Sequence, residues 1–167
     1  WAVKRAFDIL VSLVVLVVGL PLWLAIAAAV KLTSRGPVLY SDRRVGLGEQ
    51  EFGMLKFRTM YADAAGQQAE LEDANEAPGA LFKIRDDPRV TPVGRFLRRW
   101  SLDELPQLFN VLRGEMSLVG PRPHALIHDA QYGEMLERYA NRHCVKPGMT
   151  GWAQVRAPYA ADTADAH

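Results

Sequence analysis

The stretch Ile9–Val30 contains no charged residue, and nearly all of its side chains are apolar. A helix of about 22 residues is long enough to cross the hydrocarbon core of a bilayer. Basic residues flank the stretch on both sides, with Lys4 and Arg5 before it and Lys31 and Arg35 after it. The pattern predicts a membrane-embedded segment at the start of the chain, which the rest of the fold must accommodate.

The middle of the apolar stretch contains a helix-breaking sequence, Gly19-Leu20-Pro21. Proline removes a backbone donor and clashes with the preceding turn, so it kinks a helix. The stretch is too long for a cleaved signal peptide, and no convincing cleavage site follows it. Basic flanks at both ends give the positive-inside rule no clear direction. The residues alone leave two topologies open: a kinked spanning helix, and a re-entrant hairpin with both ends on the cytoplasmic face.

The composition is that of one globular domain, because 49% of the 167 residues are hydrophobic and only 23% are charged. A net charge of +1 gives no general attraction to nucleic acid, so no nucleic-acid partner is predicted. The single cysteine, Cys144, cannot form an intrachain disulfide, which favours a cytosol-facing domain. Trp1 is not a natural start, and the chain stops in a small polar stretch. We expect a C-terminally incomplete fragment of a longer protein.

Beyond Arg35 the pattern changes to short elements that together predict a small, mostly helical α+β domain. Two strands, 38–40 and 51–57, are expected to form a β-hairpin around a loop at 43–48. Loops are predicted where glycine and proline cluster, at 117–123 and 146–151. Helices are predicted from apolar periodicity or polar, alanine-rich composition at 62–76, 93–99, 102–112 and 125–142.

A cluster of charges around residue 100 carries the most chemistry. Arg95, Arg98 and Arg99 have helical spacing and share a face, and the adjacent carboxylates Asp103 and Glu104 follow. Guanidinium groups bind phosphate oxygens in a bidentate fork. One or two carboxylates can hold Mg²⁺ together with substrate phosphates. Such an arrangement is typical of phosphoryl transfer, which depends on positioning and charge neutralisation.

A structural interpretation of the same residues stands beside the catalytic one. Ser101 followed by Glu104 is a capping box, which satisfies backbone donors at a helix start. Pro106 fits that helix best if it begins near Asp103. The two interpretations are compatible, because a carboxylate at a helix N-terminus is favoured in its ionised form, which is the nucleophilic one.

Further candidates are weaker on sequence grounds alone. Arg122 lies between two prolines that would fix its direction, although the residues alone favour a rigid turn with a solvated arginine. The segment Lys56-Phe57-Arg58-Thr59-Met60 places two cations at the end of a strand, which the sequence alone favours as a solvated strand end. His124 and His128 lie four residues apart, but no third ligand with matching spacing supports a zinc site.

Six segments in order make the chain resemble the bacterial sugar transferase family. Its members are the monotopic phosphoglycosyl transferases, polyprenyl-phosphate sugar-1-phosphate transferases that prime exopolysaccharide and O-antigen synthesis. The resemblance covers nearly the whole chain, from Lys4 to about Tyr159. The matching segments are Gly36-Pro37-Val38, Lys56-Phe57-Arg58-Thr59-Met60, Asp87-Pro88-Arg89-Val90-Thr91, Ser101-Leu102-Asp103-Glu104-Leu105-Pro106-Gln107-Leu108, Gly120-Pro121-Arg122-Pro123 and Lys146-Pro147-Gly148-Met149-Thr150-Gly151-Trp152.

The resemblance implies a two-step mechanism and assigns residues to it. Asp103 would be the nucleophile that takes a phosphosugar from a UDP-sugar and releases UMP, and undecaprenyl phosphate would then accept the phosphosugar. Glu104 would support the carboxylate pair as a hydrogen-bonding or proton-handling partner. Arg98, Arg122 and, with less support, Lys56 would bind phosphate. Mg²⁺, held at Asp103, would neutralise the diphosphate.

The resemblance also implies a topology and a location. Residues 1–35 would be a re-entrant membrane helix with basic flanks, and residues 36–167 a catalytic domain on the cytoplasmic face of the bacterial inner membrane. Membrane lipids would be partners. Leu20-Pro21 stands where some members have Ser-Pro, so a hydroxyl at the break is missing. Neither the sugar nor a homo-oligomeric state is predicted.

Two hypotheses of other kinds remain open on the residues. One is a non-catalytic membrane-associated scaffold that binds anionic lipid through its arginines. The other is a metal-dependent phosphatase that uses an aspartyl phosphate and needs no lipid acceptor.

Overall fold

The computed structural model of the chain describes residues 1–64, 66–67, 84, 86–126, 129, 132–133 and 139–156. Helices α1 to α5 in this part of the chain are Ala2–Val18, Leu20–Thr33, Pro92–Arg99, Gln107–Arg113 and Trp152–Arg156. Strands β1 to β4 are Leu39–Val45, Glu51–Phe57, Ser117–Val119 and Gly148–Thr150. Short 3₁₀ helices lie at Leu47–Glu49, Leu102–Glu104 and Tyr139–Cys144. The predicted α+β class is confirmed.

The apolar stretch forms two helices, α1 and α2, that meet at Gly19 with a bend of 65°. A Cβ atom at position 19 would lie 2.6 Å from the carbonyl oxygen of Val15, so the bend requires a residue without a side chain. Pro21 follows in the first turn of α2, where its missing N–H costs no helical hydrogen bond. Neither helix alone, nor any other in the described residues, is long and apolar enough to cross a bilayer. The bent pair passes that test only when its helices are taken together.

Helix α2 packs onto what we call the site platform: β2, α3, the 3₁₀ turn Leu102–Glu104 and α4. Trp23, Ile26 and Val30 of α2 are buried in one apolar cluster with Phe57 and Leu97 of the platform. The Trp23 ring lies 5.4 Å from the Phe57 ring, centroid to centroid. Burial of such side chains contributes about 1.5–3 kcal/mol each. The bend therefore brings one apolar helix face against the platform.

Polar side chains hold the first turns of α1 against α4 and β3. The Arg5 guanidinium donates to the carbonyl oxygen of Leu112, at 2.7 Å, near the end of α4. A cation at this end of a helix complements the helix dipole. The buried Asp8 carboxylate accepts hydrogen bonds from the Ser117 hydroxyl, at 2.8 Å, and the Leu118 N–H, at 3.2 Å. These contacts join α1 to α4 and β3.

The predicted β-hairpin is confirmed. Strand β2 has the predicted bounds, and it pairs antiparallel with β1 from Leu39↔Phe57 to Val45↔Glu51. The predicted loop at 43–48 is partly wrong, because residues 43–45 continue β1. Backbone hydrogen bonds to β2 hold these residues in the strand, although two of them are arginines.

Two predicted loops contain a strand each, which corrects the sequence-based assignment. Ser117–Val119 and Gly148–Thr150 pair in parallel as β3 and β4. A Cβ atom at Gly120 would lie 2.4 Å from the carbonyl oxygen of Lys146, and one at Gly148 would lie 2.1 Å from the Gly120 nitrogen. The two glycines let the backbones approach closely, so pairing between distant segments overrides the local turn chemistry.

The remaining helix predictions had mixed outcomes. The helix predicted at 93–99 is confirmed as α3. The one predicted at 102–112 is a 3₁₀ turn followed by α4, because Pro106 lacks the N–H that a continuous helix would use. Within 62–76, the described residues 62–64 and 66–67 form turns, and the rest lies outside the described residues. The prediction at 125–142 falls mostly outside them, and its end belongs to the 3₁₀ helix Tyr139–Cys144.

Candidate active site

The carboxylate pair sits on the 3₁₀ turn Leu102–Glu104, which the chain enters through an unusual backbone conformation. Ser101 has φ 52° and ψ 22°, in the left-handed region that non-glycine residues rarely adopt. Strain of this kind persists where the surrounding structure holds it, often at functional sites. The Ser101 side chain makes no capping hydrogen bond, so the capping box is not formed. The turn instead places the Glu104 carboxylate beside Lys56 of β2.

Glu104 is held by two cations that come from distant parts of the chain. Its Oε1 atom accepts from Lys56 Nζ at 2.9 Å and from Arg122 Nη2 at 3.3 Å. Burial alone would raise the pKa of Glu104, but the Lys56 and Arg122 charges and a hydrogen bond from Gln107 outweigh it, so the pKa lies below its usual value. Glu104 is therefore ionised at neutral pH, and it locks both cations in place.

Asp103 has the opposite electrostatic environment one residue earlier. Its side chain is buried, with 8% exposure, and within the described residues no ion pair engages its carboxylate. Burial raises the pKa of Asp103 above its usual value, and the charge of Glu104 adds to the effect, while Lys56 and Arg98 oppose it. A desolvated carboxylate that is not neutralised by a partner is more reactive toward an electrophile than a solvated one.

Arg98 reaches the site from the last turn of α3. Its Nε donates to the Thr59 hydroxyl at 2.9 Å, and its charge acts on Asp103. Thr59 is fixed in turn, because its carbonyl oxygen accepts from the Thr91 N–H at 2.9 Å. Arg98 as a whole is exposed. Arg95 and Arg99 are also exposed on α3, but within the described residues neither forms an ion pair with the carboxylates.

The structure thus brings Lys56, Arg98, Asp103, Glu104 and Arg122 together, as the catalytic interpretation requires. They come from β2, α3, the 3₁₀ turn and the loop after β3. Their separation in sequence reaches 66 positions, from residue 56 to residue 122.

Two buried polar residues support the platform: Arg58, which was wrongly expected at a solvated strand end, and Asn110, which the sequence analysis missed. Arg58 donates to the carbonyl oxygens of Ser34 and Arg35 at 2.8 and 2.9 Å, which ties the end of β2 to the end of α2. Asn110 is fully buried on α4, where Oδ1 accepts from the Leu55 N–H at 3.0 Å and Nδ2 donates to the Gly53 carbonyl at 2.7 Å. An asparagine among apolar positions of a helix was the signal that could have found the second.

Of the predicted histidine pair, the structure describes only His124. His124 Nδ1 lies 2.7 Å from the Tyr139 hydroxyl and 2.7 Å from Arg142 Nη1, and His128 lies outside the described residues. No cluster of three or more histidine, cysteine or acidic ligands occurs among the residues that the structure describes.

The carboxylates of the site are nevertheless suited to a Mg²⁺ ion that is bound together with the phosphate groups of a substrate. Mg²⁺ commonly takes one or two protein carboxylates and completes its shell with phosphate oxygens and water. Asp103 offers a carboxylate without an ion-pair partner in the described part of the chain, whereas two cations already occupy Glu104. Asp103 is therefore the residue that fits the metal.

Comparison with known protein families shows which family the chain belongs to. The family model described as bacterial sugar transferase matches residues 1–166. The chain belongs to the bacterial sugar transferase family.

Individual relatives show which activities occur in proteins similar to this chain. Undecaprenyl-phosphate glucose phosphotransferase of Komagataeibacter xylinus is 49% identical over 160 residues, which cover 91% of this chain and 27% of that protein. UDP-N-acetylgalactosamine-undecaprenyl-phosphate N-acetylgalactosaminephosphotransferase of Aeromonas hydrophila is 43% identical over 98% of this chain and 36% of its own length. Exopolysaccharide production protein PSS of Rhizobium leguminosarum bv. phaseoli is 44% identical over 92% of this chain and 73% of its own length. The chain therefore spans about a quarter to a third of the first two.

Proposed function

We propose that this chain transfers a sugar 1-phosphate from a UDP-sugar to undecaprenyl phosphate, through a covalent phosphosugar on Asp103. The observation that carries the proposal is the contrast within the carboxylate pair. Glu104 is neutralised by Lys56 and Arg122, whereas the buried Asp103 has no ion-pair partner in the described structure. Family membership and the names of the relatives support the same reaction class.

In the first step an Asp103 carboxylate oxygen attacks the β-phosphorus, which carries the sugar. The bond from that phosphorus to the oxygen bridging the two phosphates breaks, and UMP leaves with the electron pair. Arg98 and Arg122 bind the phosphate oxygens through planar donors that suit bidentate contact. Catalysis then comes from positioning and from charges already in place before the reaction begins.

In the second step a phosphate oxygen of undecaprenyl phosphate attacks the same phosphorus. The bond to Asp103 breaks, the carboxylate is regenerated, and the sugar leaves as an undecaprenyl diphosphate sugar. Asp103 would hold Mg²⁺, and the metal would supply neutralisation of the diphosphate charge. Two displacements through one covalent intermediate predict ping-pong kinetics.

Glu104 acts in this proposal as the anchor of the cationic groups. Its lowered pKa means that it holds no proton at neutral pH, so it is unsuited to donate one. Its Oε1 atom fixes Lys56 and Arg122 instead, and both charges then act at the reacting phosphorus. Of the two roles that the sequence resemblance implied for Glu104, hydrogen-bonding and proton-handling, the proposal uses the first.

The membrane topology is part of the proposal. Residues 1–35 would enter the bilayer as the bent pair α1–α2 and return to the same face, and residues 36–167 would form the catalytic domain at the cytoplasmic face of the inner membrane. The 65° bend and the exposed apolar side chains of both helices support it. Asp8 and Ser12 of α1 are buried, and Asp8 is held against β3, as expected for a pair whose outer surface meets lipid.

The chemical test uses purified protein in detergent with undecaprenyl phosphate, Mg²⁺ and a panel of UDP-sugars. UDP-glucose and UDP-N-acetylgalactosamine come first, because relatives are named for both sugars. We expect UMP release with one donor and, without the lipid acceptor, a phosphosugar adduct at Asp103 by mass spectrometry. Turnover without any adduct would refute the covalent step. Hydrolysis without lipid would indicate a phosphatase, and lipid binding without UMP release a scaffold.

The topology test places single cysteines before Lys4 and after Arg35 in a Cys144→Ser background. Both cysteines should react with an impermeant thiol reagent added from the cytoplasmic side of inverted vesicles. Labelling from opposite sides would show a spanning helix instead.

A further inference from the structure

The loop that carries Arg122 is held at four consecutive carbonyl groups. Each carbonyl of residues 121–124 accepts a hydrogen bond from a different residue, and the donors come from three separate parts of the chain. The donors, in order, are Gly148 N–H at 2.9 Å, the Arg142 guanidinium, Arg44 Nη1 at 3.4 Å and Val45 N–H at 3.3 Å. Loops are seldom fixed at every peptide, so this one is built to hold a single shape.

Arg142 makes the contact nearest to the functional side chain. Its Nη2 donates to the carbonyl oxygen of Arg122 itself. Flanking prolines restrict the Arg122 backbone to extended conformations. Within that range, the direction of the Arg122 carbonyl group reflects the ψ angle of the residue. A group that holds this carbonyl therefore fixes where the Arg122 side chain starts, and that side chain reaches Glu104 at 3.3 Å.

Arg142 is itself immobilised by a polar and aromatic cluster. Its Nη1 donates to the Tyr139 hydroxyl at 2.9 Å and to His124 Nδ1 at 2.7 Å, and its guanidinium carbon lies 4.8 Å from the centre of the Tyr139 ring. The Tyr139 hydroxyl donates to Asp129 Oδ1 at 2.7 Å. Burial raises the pKa of Tyr139, so this hydroxyl keeps its proton throughout the physiological range. His143 closes the cluster 3.4 Å from the same Asp129 oxygen.

We propose that Arg142 is a positioning residue for the proposed phosphosugar transfer and acts through Arg122. The inference rests on the proposed function, and it adds a residue that touches neither Asp103 nor Glu104. The contacts run from Tyr139 to Arg142, from Arg142 to the Arg122 carbonyl oxygen, and from the Arg122 side chain to Glu104 of the carboxylate pair. Groups that orient a functional side chain in this way typically contribute about 10- to 100-fold to activity.

The test is a double-mutant cycle of Arg142→Met and Arg122→Ala, with kcat/KM measured by UMP release. In the wild-type background, Arg142→Met should lower kcat/KM by about 10- to 100-fold. In the Arg122→Ala background the same substitution should change kcat/KM less than about 2-fold, because residues that act as one unit are not additive. A structural role spread over the domain would give the same factor in both backgrounds.

Controls keep this inference separate from the proposed function. Arg113→Met, at an exposed arginine, should leave kcat/KM unchanged, and thermal unfolding should show that each variant is folded. If Arg142→Met does not fold, Arg142→Lys replaces it, since an ammonium keeps the charge but cannot span Tyr139 and the Arg122 carbonyl as a fork. A wild-type rate for the folded variant, or equal factors in both backgrounds, overturns the inference. A wild-type protein that releases no UMP with any donor overturns the proposed function instead.

Discussion

The helix pair α1–α2 and the site platform place polar and apolar groups in opposite ways. The pair exposes large apolar side chains, such as Leu10 and Val17, and buries Asp8 and Ser12. The platform buries the Asp103 carboxylate and pairs the half-buried Glu104 with Lys56 and with Arg122 from the loop after β3. An exposed apolar surface of this size calls for an apolar environment, whereas buried charges call for fixed partners. The comparison teaches that the two regions are shaped for different surroundings, and that the site lies where they meet.

The strongest way to test the platform is Asp103→Asn. We expect a loss of UMP release of about 10³-fold or more, because an amide oxygen cannot form the phosphosugar ester. The same variant should be at least as heat-stable as the wild type at pH 7, because burial penalises the charge that the substitution removes. Lowering the pH through the raised pKa of Asp103 neutralises the wild-type carboxylate, so the stability difference should shrink. Thermal unfolding in detergent between pH 4 and pH 7 measures it.

Asp86→Asn is the matched control for that variant. Asp86 is exposed on the surface, and its substitution should alter neither activity nor stability. Retained activity in a folded Asp103→Asn protein would contradict the assignment of the nucleophile.

Lys56→Met tests how the platform keeps its carboxylates ionised. Burial acts to raise the pKa of both Asp103 and Glu104, and the charge of Lys56 acts to lower the pKa of both. Loss of the lysine should cost about 100-fold in kcat/KM. The acid limb of the kcat/KM profile should move to higher pH, because the ionised nucleophile forms later as pH rises.

A pH profile separates that effect from simple damage to the site. Arg43→Met, on the opposite strand of the hairpin, removes a cation whose side chain is 78% exposed and should leave the profile in place. An unshifted acid limb in Lys56→Met would show that the lysine does not control the ionisation of the pair.

Arg58→Met tests the joint between the two regions. The substitution leaves the carbonyl oxygens of Ser34 and Arg35 without their donor, which should cost about 2 kcal/mol of unfolding free energy. For a chain of this length, that loss corresponds to a fall in Tm of about 4–8 °C. Thermal unfolding of the detergent-solubilised protein measures it, with Arg95→Met, at an exposed arginine of α3, as the control. An unchanged Tm would show that apolar packing alone joins the regions.

Gly19→Ala gives the smallest expected effect and tests the bend. Alanine normally stabilises a helix relative to glycine by about 1 kcal/mol. Here its Cβ would lie 2.6 Å from the Val15 carbonyl oxygen, so we expect destabilisation by about 1 kcal/mol instead. The exposed α2 position Ala25 provides the opposite case, because Ala25→Gly should destabilise through propensity. A higher Tm for Gly19→Ala would mean that the backbone there relaxes without cost.

Some features of the site were predictable because they are local. The arginine and carboxylate segment around residue 100 and the hairpin strand 51–57 follow from spacing and residue type, whereas the phosphate-binding role of Arg122 came only from the family resemblance. The capping box was a wrong prediction, because the Glu104 side chain accepts from Lys56 and Arg122 and the Ser101 side chain makes no capping hydrogen bond. The strands β3 and β4 were missed because each consists of three residues whose pairing partner lies about 30 positions away.

The sequence by itself determined the apolar N-terminal stretch, its break at Gly19 and Pro21, and the set of residue types available for phosphate chemistry, because these depend only on composition and near neighbours. Only the tertiary structure decided that two adjacent acids differ in their surroundings. Asp103 is desolvated while Glu104 is paired, because the partners of Glu104 arrive from β2 and from the loop after β3. Electrostatic environment depends on distances through space, and distances of that kind cannot be read from positions along a chain.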